Sequence, residues 1–295
     1  MRRSGLFPEL VVCEPITRYY IRITPIKDMK YFRCLGVFLD YKHNVITMSN
    51  FRVTCVLYDQ SPGMEDGVSN VTARVYSHDS LTRRKDWNSS LRRVIKLQNV
   101  ESAHYAGRSA GYMFWCMDDD GTVFACKEKT SSFTRFHVPY RVHQGSCDQS
   151  TFRFVDDDES MFSDSVQVVS LNGDELRVFV QRKLISGETK WVLRESLDLQ
   201  EATRSLTGHK GCYFNSSTEI ITAGKGYVVL APAEEMWLFS VELSTMRVER
   251  EHSRNRIAGE AYSYVLGTRP AVHVCLVSCK KERQGSCRDI CKCNK

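Results

Sequence analysis

Residues 106–139 form the stretch that most limits what this chain can fold into. Their sequence is AGRSAGYMFWCMDDDGTVFACKEKTSSFTRFHVP. The runs GYMFWCM, TVFAC and FTRFHVP are rich in residues that favour strands, and the polar stretches DDDG and KEKTSS are typical of turns. We predict a three-stranded antiparallel meander. Because a meander of this size cannot bury its own apolar face, it needs neighbours of the same kind.

The rest of the chain contains such neighbours. Units with a similar pattern of short strands and turns begin near residues 35, 51, 110, 165 and 212. Apart from a short candidate at residues 197–206, no amphipathic stretch offers the helices that an α/β fold needs between its strands. The sequence therefore predicts an all-β protein, a β-propeller-like array of three-to-four-stranded antiparallel meanders, with a β-sandwich as the alternative.

Composition and charge narrow the range of partners. The 295 residues are 42% hydrophobic and 26% charged, as in an ordinary globular protein. The net charge of +6 comes from the two ends, because residues 280–295 have an excess of basic side chains and Arg2 and Arg3 supply the rest. A nucleic-acid surface would place the excess on the folded body, so we expect no nucleic-acid partner.

The sequence has no apolar run long enough to span a membrane and no apolar core of an N-terminal signal peptide. We therefore expect no membrane partner and a cytoplasmic or nuclear location. The strand pattern and the charge distribution predict three regions. These are an N-terminal extension at residues 1–10, a β-propeller-like domain at residues 11–274, and a basic, cysteine-rich, disordered tail at residues 275–295.

A glycine-flanked serine is a candidate catalytic nucleophile. Residues 107–111 read GRSAG and match the G-x-S-x-G nucleophile elbow, with Ser109 at its centre. That motif needs a helix after the serine, whereas an aromatic strand follows here, so the sequence favours a turn and a serine hydrolase is an alternative. The acidic runs at residues 118–120 and 156–159 fit solvated turns better than catalytic carboxylates. We predict no enzymatic activity and no cofactor.

Four cysteines of the tail are weak candidates for a zinc site. Tetrahedral thiolate sites are common for zinc, but paired cysteines are usually separated by two residues and the pairs by a longer spacer. Here three residues separate the members of each pair, so an unstructured tail is favoured and a zinc-binding interaction protein is a second alternative. The four residues are Cys275, Cys279, Cys287 and Cys291.

Three segments resemble the F-box-associated domain of plant F-box proteins. They are VVCEPITRYYIRITPI at residues 11–26, the strand ending in Trp115 together with the later FTRFHVP, and ELRVFVQRKLISGETKWVLRESLDL at residues 175–199. The last segment has Phe179 and Trp191 at its aromatic positions. The resemblance covers roughly residues 11–250. It implies a β-propeller-like domain that holds a target protein for a Skp–cullin–F-box ubiquitin ligase.

The family has an F-box of short helices before this domain, and residues 1–10 are too few to hold one. The resemblance thus implies a non-enzymatic protein-binding module, a form of the domain without its F-box. Its partners would be an unidentified target protein and, only if an F-box is supplied, a Skp-type adaptor. The target would contact loops on one rim, including the polar RRKDWNSS stretch with an exposed tryptophan. The candidate contact residues are Met64, Glu65, Asp66, Arg83, Arg84, Trp87, Asp156, Asp157 and Asp158.

Overall fold

Twenty strands dominate the part of the chain that the computed structural model describes, with one short 3-10 turn and two short helices. The described residues are 9–14, 18–24, 31–40, 48–61, 67–79, 84–88, 94–117, 121–143, 147–156, 165–183, 188–206, 213–214, 217–233, 237–250 and 273–277. No helix within these ranges is long and apolar enough to cross a membrane.

The elements are numbered in chain order. The strands are β1 (Glu9–Glu14), β2 (Tyr19–Ile23), β3 (Phe32–Asp40), β4 (Asn50–Asp59), β5 (Val68–Asp79), β6 (Arg84–Asn88), β7 (Ile95–Gln98), β8 (His104–Ser109), β9 (Tyr112–Cys116), β10 (Thr122–Lys127), β11 (Ser132–His137), β12 (Phe152–Val155), β13 (Gln167–Asn172), β14 (Glu175–Lys183), β15 (Thr189–Asp198), β16 (Thr218–Gly224), β17 (Tyr227–Pro232), β18 (Phe239–Glu242), β19 (Arg247–Arg250) and β20 (His273–Val277). The helices are α1 (Tyr140–His143) and α2 (Leu199–Thr203).

The chain divides into two compact units. The terminal unit comprises Met1–Glu101 and Tyr264–Lys295, and the central unit comprises Ser102–Ser263. In the terminal unit, strands β3, β4, β5 and β6 form an antiparallel sheet in that order, with β7 paired to β5. A second sheet of this unit has the order β2-β1-β20. Its strand β20 includes Cys275 and so crosses the boundary expected after residue 274.

The core of the terminal unit follows from the alternation of side chains along β4. Successive side chains of a strand point to opposite faces, so residues two apart share a face. Phe51, Val53, Cys55 and Leu57 are all buried in one cluster, together with Leu10 of β1. This cluster joins the sheet of β4 to the sheet of β1 within the unit.

The central unit contains three four-stranded antiparallel meanders, β8 to β11, β12 to β15 and β16 to β19. The first strands of two neighbouring meanders, β8 and β12, run parallel and pair where Gly107 faces Phe154. Residues 106–139 belong to the first meander, which has four strands instead of the predicted three because residues 104–109 form the additional strand β8.

Aromatic side chains hold the first two meanders together. Phe114 of β9 stacks on Phe154 of β12 with ring centroids 3.9 Å apart. Both belong to a buried cluster that also contains Phe179 and Trp191 of the second meander. A well-placed aromatic pair adds about 1 kcal/mol beyond the area it buries. The two meanders therefore share one core.

Several turns of the central unit lie at one end. Strands alternate in direction within each meander, and β8 and β12, the first strands of the first two meanders, are parallel. The turns that follow the first and third strands of these two meanders therefore lie at the same end. In the third meander, the Gly226 N–H donates to the Asp156 carbonyl oxygen at 2.9 Å, which places the turn after β16 at this end too. We define the Asp156 rim as Arg108, Asp156 and the turns at residues 110–111, 128–131 and 225–226.

The predicted fold class is confirmed. The protein is all-β, and its antiparallel meanders are β-propeller-like in strand number and order. Helix α2 also confirms the short helix expected within residues 197–206. One segment was assigned wrongly, because the polar connection after β5 contains strand β6.

Candidate functional site

An ion pair at the Asp156 rim joins Arg108 of β8 to Glu128 of the turn between β10 and β11. The Nη2 and Nε atoms of Arg108 lie 2.6 Å and 2.7 Å from Glu128 Oε1. The two side chains are 38% and 17% exposed. Burial lowers the pKa of Arg108. The negative charge of Glu128 raises it, as does that of Asp156 more weakly, so that the pKa of Arg108 is above its ordinary value. The pair is therefore charged, fixed in geometry and partly open to solvent.

Further polar groups lie along β8 and β12. The Arg153 Nη1 donates to the Tyr105 carbonyl oxygen at 3.1 Å. Burial lowers the pKa of Arg153 and raises the pKa of the Tyr105 hydroxyl. The pKa of Asp148 is lowered, mainly because its carboxylate accepts hydrogen bonds from the side chain and backbone N–H of Ser150. The pKa of Tyr105 is shifted upwards and that of Asp148 downwards, so both are moved away from neutral pH. These groups therefore do not form an acid–base pair that is tuned for proton transfer near pH 7.

Few of the predicted contact residues fall within the described part of the chain. Asp156 does, half-buried directly after β12, and its charge acts on Arg108 at the rim. Arg84 begins strand β6 and Trp87 lies near its end. The others, which lie outside the described residues, are Met64, Glu65, Asp66, Arg83, Asp157 and Asp158.

The predicted loop position of Trp87 is wrong. Trp87 lies in strand β6, opposite Tyr76 of β5, with ring centroids 5.4 Å apart. Its side chain is half-buried against the core of the terminal unit, and its Nε1 donates to the Thr24 carbonyl oxygen at 2.6 Å. Charged neighbours are common on strands at the edge of a sheet, which explains why the sequence around Trp87 looked like a loop.

Ser109 does not have the geometry of a nucleophile elbow. It is the last residue of β8, only 1% exposed, and the chain continues through a two-residue turn into β9 rather than into a helix. Its Oγ accepts a hydrogen bond from the Gln167 backbone N–H at 2.9 Å. The hydroxyl therefore satisfies a buried donor at the start of β13, and the turn expected at this motif lies at residues 110–111, directly after Ser109.

The cysteines give no metal centre in the described part of the chain. Within it, no group of three or more His, Cys, Asp or Glu side chains could hold a metal ion. Cys275 lies in β20, whereas Cys279, Cys287 and Cys291 lie outside the described residues. The zinc alternative thus stays a prediction.

Sequence reasoning missed the exposed surface around α1. Tyr140 is 70% exposed, and the Arg141 Nη2 donates to the Trp191 carbonyl oxygen of β15 at 2.6 Å. Leu193, two residues further along the same strand, is 49% exposed. Pro139 was an available signal, because proline is favoured at the beginning of a helix.

The fold and the rim define an all-β protein built from meanders, with a charged surface at one end of the central unit. No family model matches the chain, and no curated protein matches it either. Among solved structures, it is similar to the β-propeller domain of Cps50 (Swd1) from Myceliophteria thermophila. That similarity has a TM-score of 0.32 and 8% identity, over 70% of this chain and 71% of the other.

Two further structures show a comparable degree of similarity. A post-proline cleaving enzyme from Rickettsia typhi has a TM-score of 0.31 and 11% identity, over 83% of this chain and 31% of the other. AztD from Citrobacter koseri has a TM-score of 0.25 and 11% identity, over 82% of this chain and 76% of the other.

Proposed function

We propose that this protein is a non-enzymatic protein-binding module and that the Asp156 rim contacts its target. The observation that carries the proposal is the gathering of turns at one end of three packed meanders, around the partly exposed Arg108–Glu128 pair. Binding residues are often found on turns held by a rigid scaffold. Charges in a fixed geometry favour a partner with complementary charges and reject others.

The resemblance to F-box-associated domains supports a more specific proposal. The module would act as the substrate-recognition part of a Skp–cullin–F-box ubiquitin ligase, in the cytoplasm or the nucleus. A Skp-type adaptor would join only through an added F-box. The buried position of Ser109 and the pKa shifts of Tyr105 and Asp148 support a binding role over a hydrolytic one.

The rim is tested with a matched pair of charge reversals. Asp156→Lys changes the rim, whereas Glu219→Lys makes the same type of change at an exposed position near the start of β16. Five residues of strand separate Glu219 from the rim turn after β16, which corresponds to about 17 Å. Proteins crosslinked to the unmodified chain in a plant cell extract are identified by mass spectrometry. We expect recovery of the specific partners to fall at least about fivefold with Asp156→Lys and to persist with Glu219→Lys.

The ligase role needs a separate measurement. The chain and a fusion with a known F-box are each mixed with a purified plant Skp-type adaptor. We expect only the fusion to co-purify with the adaptor. If Asp156→Lys retains every partner, the rim is not the contact surface. If ester hydrolysis by the chain is abolished by Ser109→Ala, the non-enzymatic proposal fails.

A further inference from the structure

A groove of about 660 Å³ lies between helix α2 and strand β19 of the central unit. Its volume is within the range of about 300–1,000 Å³ that is typical of ligand sites. The groove is separate from the residues that define the Asp156 rim. Its lining residues are Ala202, Ser205, Leu206, Met246, Arg247, Val248, Glu249 and Arg250.

The groove runs along the edge of β19. Successive side chains of a strand point to opposite faces, so a cavity on one face would meet only alternate residues. This groove is lined by all four residues of β19, from Arg247 to Arg250, and therefore follows the strand edge. In the described part of the chain, β19 pairs with β18 alone. Its other edge can thus offer backbone N–H and C=O groups to a further strand.

The lining combines an apolar surface with the guanidinium of Arg250. Ala202, Leu206 and Met246 belong to the apolar residues packed on the core of this unit. Arg247 and Glu249 form an ion pair at 3.0 Å and neutralise each other. The guanidinium of Arg250 forms no ion pair within the described part of the chain.

Aromatic residues fix the position of the Arg250 side chain. Its guanidinium carbon lies 4.4 Å from the centre of the Trp237 ring, and its Nη1 donates to the Tyr213 hydroxyl at 3.3 Å. A cation over an aromatic face is attracted to the ring without losing its charge. Arg250 therefore presents a fixed positive charge in the groove, with donors left for a carboxylate because the guanidinium has five N–H groups.

We propose that this groove binds an acidic segment of a partner protein in extended conformation, as a strand added to β19. The backbone of the segment would pair with the strand edge, one set of alternate side chains would cover Leu206 and Met246, and a carboxylate would bind Arg250. Backbone pairing supplies affinity in this mode, and the pockets for alternate side chains supply specificity. The proposal goes beyond the rim function, because rim and groove have different residues and are tested with different variants.

The first test is selection of random hexapeptides displayed on phage against the immobilised full-length chain. We expect enrichment of sequences in which apolar residues alternate with Asp or Glu. Arg250→Glu should instead enrich Lys and Arg, whereas Asp156→Lys at the rim should leave the acidic preference unchanged. If circular dichroism shows that Arg250→Glu does not fold, Arg250→Gln replaces it. This variant should abolish the preference for acidic peptides without creating a preference for basic ones.

The second test uses the most enriched peptide, labelled with fluorescein, and a series of its single N-methylated forms. Only alternate N–H groups of an added strand face the neighbouring strand. We therefore expect methylation at every second position of the peptide to weaken binding at least about tenfold, and methylation at the positions between them to have little effect. Ser205→Trp, at an exposed position of the groove lining, should block binding, and Ser205→Ala should not.

The outcomes separate this proposal from the rim function. Lack of any enriched peptide, or the same enriched sequences with Arg250→Glu, overturns the groove proposal and leaves the rim experiment unaffected. Equal loss of binding at all methylated positions overturns strand addition. Enrichment of sequences that match residues 251–263 of this chain would assign the groove to the protein's own segment and would also overturn the proposal.

Discussion

Gly107 determines whether strands β8 and β12 can pair. Its φ is +126°, a value that residues with a side chain rarely adopt. A Cβ atom at this position would overlap the Phe154 carbonyl oxygen of β12. The glycine is therefore needed for two reasons, its backbone conformation and the close approach of the neighbouring strand.

Replacement of Gly107 should be much more costly than replacement of Gly111, four residues later. Gly107→Ala combines an unfavourable φ with a backbone clash, and we expect the free energy of unfolding to fall by about 3 kcal/mol. Gly111 has a φ of +72° and open space around it, so Gly111→Ala should cost about 1 kcal/mol for the left-handed conformation alone. Urea unfolding measures both values. Equal costs would show that the approach of β12 does not constrain Gly107.

Ser109→Ala tests the structural role of that hydroxyl. Its removal leaves the Gln167 N–H without its acceptor in a buried place, so we expect a loss of about 2 kcal/mol in the free energy of unfolding. The exposed Ser196 provides the control, since Ser196→Ala should cost less than about 0.5 kcal/mol. An unchanged unfolding curve for Ser109→Ala, measured in urea, would contradict the role assigned to this serine.

At the scale of elements, helix α2 depends on the residue before it, Asp198, for a backbone hydrogen-bond partner. Helix α2 has only five residues, so its own hydrogen bonds contribute little. Asp198 caps the helix, because its Oδ1 accepts the Glu201 N–H at 2.8 Å. Leu199 and Thr203 anchor the helix by their burial. The same helix forms one wall of the groove, so capping and peptide binding are linked.

Asp198→Ala should therefore affect both stability and the groove. We expect a loss of about 1 kcal/mol in the free energy of unfolding, as for other N-cap substitutions. If the groove proposal holds, peptide affinity should fall severalfold, because α2 then has a less fixed end. Asp198→Asn retains an acceptor oxygen and is the matched control. Calorimetry and fluorescence anisotropy provide the two measurements, and identical behaviour of both variants would exclude a capping role.

Strand β6 shows where local patterns fail to predict an element. Its residues RKDWN are mostly charged, and no apolar alternation distinguishes them from a loop. What makes them a strand is their pairing with β5, in the register Tyr76 to Trp87. By contrast, β4 has apolar residues at every second position from Phe51 to Leu57, and these side chains are buried in one cluster.

At the scale of the whole molecule, both units bury cysteine thiols. In the terminal unit, burial raises the pKa of Cys34 to about 11 and raises that of Cys55 as well. In the central unit, burial raises the pKa of Cys126 to about 12. A thiol reacts with alkylating reagents as the thiolate, so these residues should be inert while the protein is folded.

We expect Cys34, Cys55 and Cys126 to resist iodoacetamide at pH 8 in the native protein and to react rapidly in urea. Peptide mass spectrometry gives the modified fraction at each position. Alkylation of Cys126 at the same rate in native and unfolded protein would contradict its burial. In the folded protein, the pKa values of Cys34 and Cys126 lie above the ordinary value of 9.0. The contribution of these neutral thiols to the stability of the fold is therefore fully present below about pH 9. That contribution is lost as the pH rises towards 11 and 12.

The sequence by itself determined the fold class, because strand alternation, turn residues and the lack of long amphipathic stretches are local patterns. The place of Asp156 in a polar turn also makes it a candidate contact residue. Only the tertiary structure decided that Trp87 is in a strand, that Ser109 is buried and that Arg108 meets Glu128. It also decided that the edge of β19 borders a groove. Each of these depends on which distant segments pair and in which register, and pairing between distant segments is not encoded in any single stretch.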